Sequence, residues 1–412
     1  MLALLLNFIH VLIILWFLRK LVKNGIDTSL LWFLVCSLFF IGIPLLFDSC
    51  LILNSDIHSA NTIKAKYNDN WISNGFQYID RISLYAFIFD LVLILIYIIT
   101  DRSFTKYKFF NSQSSSSYFF SWKVIFIISY LSLLFFMLNF GISSLQHLGV
   151  GEWTENWTYN KWLNLLTTIL ISVSPVGILK GLYEKKYILM IFSSIPAILI
   201  GFITDSRALI ISYVIIFAYY FVWTQAFKSI SLRKVLFFAI GFYLAFIGLT
   251  YFKEDKLFIY PLSLDRSYSD LFYCFESGDA ISSKGMNFLK LISTGIWSFN
   301  DSGIETVEAI LANSRYFSGW GTLHPTVLGW AYMDLGRNFF LLAAFFGFFL
   351  GVFDIIRKNL NPRLSLLYMC IILRFCPIAV RGSVQYAYAN AIYPVLFFLI
   401  ILVFLKLSKK TY

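Results

Sequence analysis

The sequence predicts an all-α, polytopic membrane protein with about eleven transmembrane helices. Composition is the first reason, since 59% of the 412 residues are hydrophobic and only 13% are charged, with a mean hydropathy of +0.75. Soluble domains carry about 25% charged residues, and a water-soluble protein of this size could not bury so much apolar surface. A bilayer can solvate that surface instead. The second reason is the regular alternation of long apolar runs with polar connectors.

The individual helices are predicted from apolar runs of close to 20 residues, the length that spans roughly 30 Å of hydrocarbon. In chain order these runs lie at residues 2–18, 29–47, 82–100, 118–140, 162–182, 187–204, 207–227, 235–252, 338–353, 364–380 and 386–405. The first run has neither a basic leader nor a small-residue cleavage site. It is therefore predicted to be a retained helix rather than a cleaved signal peptide.

The orientation is predicted from basic residues, which gather on every second connector. Counted with Lys123, that side holds 19 of the 33 basic residues and four of the 22 acidic residues, and the remainder of the chain has a net charge of −4. The clusters lie at residues 19–23, 102–108, 180–186, 228–234, 357–363 and 406–410. Because basic connectors stay in the cytoplasm, the N-terminus is predicted to be periplasmic and the C-terminus cytoplasmic.

The chain is predicted to form a single transmembrane domain over residues 1–412. Its largest outward connector, residues 253–337, is predicted to be a periplasmic loop of 85 residues inserted between helices 8 and 9. The cytoplasmic connectors are too short for a nucleotide-binding domain, and no phosphate-binding P-loop motif is present. ATP hydrolysis is therefore excluded.

No metal, cofactor or nucleic-acid partner is expected from the sequence. The five cysteines form no CxxC pair and no Cys/His spacing typical of zinc. Cys50 and Cys274 both lie on the predicted outer side, so a disulfide between them is an open alternative. The basic residues directly flank apolar runs, so the net charge of +11 indicates membrane orientation rather than nucleic-acid binding.

Arginines near the predicted outer face are the first candidate functional residues. Arg207 starts a predicted helix, Arg374 lies about halfway along the tenth, and Arg381 lies at the outer end of the tenth. Arg266 and Arg315 fall in the large loop. A polar residue at membrane depth is a functional hypothesis, because leaving it unpaired costs several kcal/mol. Arginine keeps its charge there and binds phosphate oxygens in a bidentate manner.

Structural roles are open alternatives for the polar residues within or beside the predicted helices. Arg207 could pair with Asp205, and Arg381 could extend its side chain to lipid headgroups. Asp90, inside the third predicted helix, is expected to pair with a membrane arginine and hold the fold. His10 is expected to be a satisfied intramembrane polar group rather than a catalyst.

A general base is predicted in the large loop. His324 is the only histidine there, and imidazole suits proton transfer from a sugar hydroxyl near neutral pH. Its alternative role is to cap the helix that follows. Four acids of the loop are alternative bases or ligands of sugar hydroxyls, although each is also typical of a solvated loop: Asp270, Glu276, Asp279 and Asp334.

Four short motifs in a fixed order resemble the Wzy-type O-antigen polymerase family (oligosaccharide repeat-unit polymerases). They are Asp205-Ser206-Arg207 at a helix start, the loop segment 284–289 (KGMNFL), the segment 324–336 (HPTVLGWAYMDLG) and Arg381-Gly382-Ser383 before the final helix. The predicted helix count, the late periplasmic loop and the cytoplasmic C-terminus are similar to this family over the whole chain.

The resemblance implies glycosyl transfer at the periplasmic face of the bacterial inner membrane, without metal or cofactor. The implied substrate is an undecaprenyl-diphosphate-linked oligosaccharide, and a polysaccharide chain-length regulator is an implied partner. The implied diphosphate-binding residues are Arg207, Arg374, Arg381, Arg266, Arg315 and Lys284. The implied catalytic residues are His324 as base, with Asp334 and Asp270 as the other candidates.

Other membrane functions remain open. An O-antigen ligase is similar in topology and differs in its acceptor, which the sequence does not identify. A flippase or transporter of the lipid-linked oligosaccharide is disfavoured because the two halves of the chain show no internal repeat. A sugar-phosphate transferase would need an acidic pair in the first outward loop, where Asp48 and Asp56 are separated. A membrane acyltransferase is equally disfavoured.

Overall fold

A computed structural model describes residues 2–24, 26–53, 78–102, 119–141, 160–203, 207–224, 284–294 and 325–408, with helical fragments at 271, 273–275, 307 and 310–311. These residues are overwhelmingly helical, and none of them forms a β-strand. The predicted all-α class is confirmed for this part of the chain. The predicted helix at 235–252 lies outside the described residues.

The described helices coincide with the other ten predicted spans. We number them α1 Leu2–Lys23, α2 Ser29–Ser37, α3 Ile43–Leu53, α4 Ile79–Thr100, α5 Trp122–Phe140, α6 Lys161–Ile171, α7 Ser174–Glu184, α8 Tyr187–Ile203, α9 Arg207–Trp223, α10 Met286–Thr294, α11 Thr326–Leu335, α12 Phe340–Lys358, α13 Pro362–Arg381 and α14 Val384–Ser408. Within the described residues, eight segments are long and apolar enough to cross a membrane, and Tyr187–Gly201 and Ser212–Trp223 are shorter apolar helices. The membrane-embedded character is thus confirmed, and the count of eleven and the orientation stay predictions.

Two of the predicted spans are interrupted within the apolar stretch. Between α2 and α3 lies a π-helical turn, Leu38–Gly42, in which the Ile43 N–H donates to the Leu38 carbonyl. The fifth predicted span breaks after α6 and restarts at Ser174 with a proline in the first turn of α7. Proline suits a helix start because the missing N–H has no intrahelical partner there.

The chain folds into two compact units. Unit 1 comprises Met1–Lys108, Phe237–Ile355 and Ile378–Tyr386. Unit 2 comprises Phe109–Leu236, Ile356–Pro377 and Ala387–Tyr412. The large predicted loop at 253–337 contributes the buried helix α11 and the short helix α10 to unit 1.

Close helix packing in unit 1 depends on small residues. A Cβ atom added at Gly347 of α12 would lie 2.6 Å from the Leu93 carbonyl oxygen of α4, and one at Gly351 would lie 2.7 Å from Thr100 Cβ. These two glycines are four residues apart and therefore lie on one face of α12. As in other membrane helices, small residues let the two backbones approach closely.

Helix α4 carries a polar stripe. Asp80, Ser83, Asp90, Tyr97 and Asp101 are separated by three, seven, seven and four residues, so they share one helical face. At 1.5 Å per residue the stripe is about 31 Å long, close to the thickness of the hydrocarbon core. Residues of α1, α2 and α12 form hydrogen bonds with the side chains of this stripe.

The two ends of the stripe tie neighbouring helices to α4. At one end the Asp80 carboxylate accepts the Ala3 N–H at 2.7 Å. At the other, Asp354 Oδ2 accepts the Ser29 N–H at 2.9 Å, the Ser29 hydroxyl at 2.7 Å and the Tyr97 hydroxyl at 2.6 Å. Asp354 is fully buried, so these bonds connect α2, α4 and α12 where water cannot compete.

In the middle of the stripe, Asp90 Oδ2 lies 2.8 Å from His10 Nε2. The expectation that Asp90 pairs with an arginine is therefore wrong, because the partner is the histidine of α1. Neither Cys50 nor Cys274 forms a disulfide in the structure, which removes the alternative of a disulfide between them.

In unit 2 the corresponding glycines lie on α7. A Cβ at Gly177 would meet Ser193 Oγ, and one at Gly181 would meet Met190 Cβ, so α8 crosses α7 at the Gly177–Gly181 face. At the predicted cytoplasmic end, Trp122 Nε1 donates to Glu184 at 2.9 Å. These contacts fix α7 between α5 and α8.

We predict that Gly347→Ala destabilises the protein. The added methyl group meets backbone rather than a movable side chain, and overpacking of this kind costs about 1–3 kcal/mol. The measurement is the thermal unfolding temperature of the purified protein in detergent. Gly42→Ala is the matched control, because a Cβ there meets only ordinary contacts at 3.4 and 3.6 Å. Equal unfolding temperatures for the two variants would contradict the close packing of α12 on α4.

Candidate anion-binding site

Between α6 and α7 the helix tightens at Ser172 and Val173, whose N–H groups donate to the Ile169 and Leu170 carbonyls at 3.3 and 3.1 Å. Ser174, the first residue of α7, is buried and donates its hydroxyl to the Ser193 carbonyl at 3.0 Å. The Tyr213 hydroxyl of α9 lies 3.5 Å from Ser174 Oγ.

Arg374 of α13 lies in the same unit and is 94% buried, with 6% of its surface exposed. Its Nε and Nη1 atoms have no hydrogen-bond acceptor among the described residues. The guanidinium is close enough to the Tyr213 phenol to act on it electrostatically. A buried donor without an acceptor costs about 1–3 kcal/mol, so these two atoms need a partner that the described protein groups do not supply.

Together these groups are suited to an oxyanion. The guanidinium offers in-plane donors for bidentate binding of phosphate or carboxylate oxygens, and the Tyr213 and Ser174 hydroxyls add two further polar groups. Within the described residues, no group of three or more His, Cys, Asp or Glu side chains could hold a metal ion. The Arg374 guanidinium supplies the positive charge and the hydrogen-bond donors of this site.

Arg207 belongs to the same unit as Arg374. It is the first residue of α9 and precedes Tyr213 by six residues, or about 9 Å of helix. Arg207 is the first described residue of this helix, and the preceding Asp205 and Ser206 lie outside the described residues, so the predicted helix start stays a prediction.

Asp334, a predicted alternative base, has a structural role in unit 1. Its carboxylate accepts the N–H of Asn287 at 3.1 Å and the N–H of Phe288 at 2.6 Å, and its carbonyl accepts the Gly285 N–H at 2.5 Å. Asp334 thereby caps the N-terminus of α10 while fully buried at the end of α11. A role as base stays a prediction beside this observed one.

Three of the four motifs meet in unit 1. Asp334 joins the segment 324–336 to the segment 284–289, and Gln385 Nε2 donates to Asn287 Oδ1 at 3.0 Å, just after the motif at 381–383. Lys284 is exposed beside Gly285, and both have positive φ, 51° and 82°. Arg381 is the last residue of α13, where Gly382 turns the chain with φ 112°.

The remaining predicted site residues lie outside the described part of the chain. They are His324, Asp270, Arg266 and Arg315. Their roles as base and as phosphate-binding residues stay predictions.

Sequence reasoning missed Ser174 and Tyr213. A serine directly before a proline is a helix-start signal, and Ser174-Pro175 in the middle of an apolar run could have indicated the break. Nothing in the sequence marks Tyr213 among the many aromatics. Arg81 was also missed, and its guanidinium lies 5.0 Å from the Tyr332 ring centre and 5.5 Å from that of Tyr85.

No protein-family model matches this sequence, and neither a curated protein nor a solved structure matches the chain. The function is therefore inferred from the geometry of the described residues and from the sequence motifs.

We predict that Asp334→Ala lowers the unfolding temperature and exposes the segment around α10 to limited proteolysis. The substitution removes both side-chain acceptors at the start of α10, and loss of such a cap costs about 0.5–2 kcal/mol. Asp334→Asn, which keeps one acceptor oxygen, should be intermediate. An unchanged unfolding temperature and protease pattern in Asp334→Ala would contradict the capping role, and loss of activity in such a stable variant would favour the role as base.

Proposed function

We propose that this protein polymerises undecaprenyl-diphosphate-linked oligosaccharide repeat units into O-antigen or a related surface polysaccharide. The observation that carries the proposal is Arg374, a buried guanidinium at membrane depth whose Nε and Nη1 atoms have no acceptor among the described residues. The diphosphate of a lipid-linked glycan is an anion that arrives at this depth attached to its own lipid. The ordered motifs of the sequence support the same function.

In the proposed reaction the acceptor sugar hydroxyl attacks the anomeric carbon of the growing glycan. The new glycosidic bond forms while the bond from that carbon to the diphosphate oxygen breaks, and the electron pair leaves with undecaprenyl diphosphate. His324 is our candidate for the base that takes the hydroxyl proton. Arginine donors stabilise the charge that develops on the leaving group, so neither metal nor nucleotide is required.

In the proposed orientation the anion-binding site lies near the periplasmic face of the membrane. We propose eleven transmembrane helices in the bacterial inner membrane, a periplasmic N-terminus, a cytoplasmic C-terminus and a periplasmic loop at 253–337. Arg374 then lies seven residues, about 10 Å, from the outer end of α13, and Tyr213 lies six residues, about 9 Å, from the outer start of α9. These depths are similar, as an anion shared by both helices requires.

We predict that deleting the gene leaves lipopolysaccharide core carrying a single repeat unit and abolishes the ladder of longer chains on a silver-stained gel. A polymerase is the one enzyme of this route whose loss still allows one unit to be exported and attached. Complementation with the wild-type gene is the control. Bare core would instead indicate a ligase or a flippase, and an unchanged ladder would refute a role in this glycan.

We further predict that Arg374→Gln lowers the polymerisation rate about 10- to 150-fold. One lost hydrogen bond to a charged group is worth about 1.5–3 kcal/mol, which gives this range of rates. Arg374→Lys should keep part of the activity, because it retains the charge without the bidentate geometry. Arg363→Gln is the matched control, since this arginine is exposed near the other end of α13. Wild-type ladders in Arg374→Gln, at equal protein level, would refute the anion site.

A further inference from the structure

Helix α10 has two faces of different character. Asn287 is fully buried and Leu291 is 3% exposed, and these two residues are four positions apart on one side of the helix. On the opposite side Met286, Leu289 and Ile292 are 47%, 60% and 53% exposed. Residues three positions apart are neighbours on a helix surface, so these apolar side chains form one continuous strip, which we call the α10 stripe.

The other face of α10 is fixed to three helices of unit 1. Asn287 Oδ1 accepts a hydrogen bond from Gln385 Nε2 of α14 at 3.0 Å. The Asp334 carboxylate at the end of α11 accepts the N–H groups of Asn287 and Phe288 at 3.1 and 2.6 Å. The Phe288 ring meets the Phe345 ring of α12 edge-on, with ring centres 6.0 Å apart. These contacts hold α10 in one orientation, in which the α10 stripe is exposed.

The side of α12 that contacts α10 is a lipid-facing side. Phe345 lies four residues after Leu341 and three residues before Phe348, so the three residues share one side of α12. Leu341 and Phe348 are exposed, and α12 is long and apolar enough to cross a membrane. Exposed apolar side chains of such a helix face hydrocarbon. The α10 stripe therefore continues a surface that the bilayer already surrounds.

The depth of α10 is that of an interfacial helix. Phe345 lies five residues, about 8 Å, from the start of α12, and Gln385 lies one residue, about 2 Å, from the start of α14. Both helices start on the same side of the membrane, because α13 crosses it between them. Amphipathic helices in a membrane surface bury their apolar face about 5–10 Å into the boundary between headgroups and acyl chains. The contacts of α10 bracket this boundary.

The charge of α10 also fits a membrane surface. Its nine residues include no acid, and its one charged residue, Lys290, is half-buried at the edge between the two faces. A carboxylate at this depth would be costly. A lysine can bury its aliphatic stem and keep its ammonium group at the level of the headgroups, where lipid phosphates attract it.

We propose that α10 is an interfacial membrane helix whose stripe inserts among the phospholipid acyl chains of the leaflet in which α12 and α14 start. The partner is the lipid surface itself. The α10 stripe is too small for a stable contact with a second copy, which would bury about 800 Å² on each partner. The proposal is independent of the polymerase function, because it holds for either orientation of the protein and for any reaction.

The test is site-directed spin labelling of the full-length protein in vesicles of equal parts phosphatidylethanolamine and phosphatidylglycerol. Leu289→Cys and Ile292→Cys each place one nitroxide on the α10 stripe. The background protein carries Cys50→Ser, because Cys50 is exposed and the other four cysteines are buried. Electron paramagnetic resonance measures collisions with oxygen, which dissolves in lipid, and with a nickel chelate, which stays in water. Phe348→Cys is the control for lipid, and Lys185→Cys, in the exposed connector between α7 and α8, is the control for water.

We expect oxygen accessibility to exceed nickel accessibility at both stripe positions, with a ratio close to that at Phe348 and opposite in sense to that at Lys185. A ratio like that of Lys185 would place the α10 stripe in water and overturn the proposal. Low accessibility to both reagents would show that protein covers the stripe, either a second copy or another partner, and would overturn it as well. If one stripe variant does not fold, the other position reports on the same surface.

Discussion

In the hydrocarbon of a bilayer no water is present to pair with a buried polar atom, so each such atom must find its partner inside the protein. The described helices meet this requirement at several points by bringing together residues far apart in the chain. Asp354 takes three donors from α2 and α4, and Asp334 takes two N–H groups of α10. These carboxylates hold helices that apolar packing alone would orient weakly, because lipid is as apolar as the helix surfaces.

The same requirement makes a buried polar group without a hydrogen-bond partner informative about ligands. Arg374 keeps two donor atoms, Nε and Nη1, without acceptors among the described residues. These donors need an anion. Asp334 is equally buried and has both carboxylate oxygens paired, so the fold is able to satisfy a buried charged group with its own donors.

Glycines determine how near the helices come. Gly347 and Gly351 let α12 approach the backbone of α4, and Gly177 and Gly181 do the same for α7 and α8. The first approach brings Asp354 within reach of Tyr97, and the second holds Ser193 beside Ser174. Close packing and polar satisfaction are thus two aspects of one arrangement, since hydrogen bonds across helices need short interaxial distances.

The sequence by itself determined the helical class and the approximate bounds of ten spans, because hydropathy and span length follow directly from the solvent. It also singled out Arg374. The partner of Asp90, the capping role of Asp334 and the proximity of Arg374 to Tyr213 were decided only by the tertiary structure. Those relations join residues up to 161 positions apart in the chain. Periodicity within one helix carries no information on which distant helix will face it.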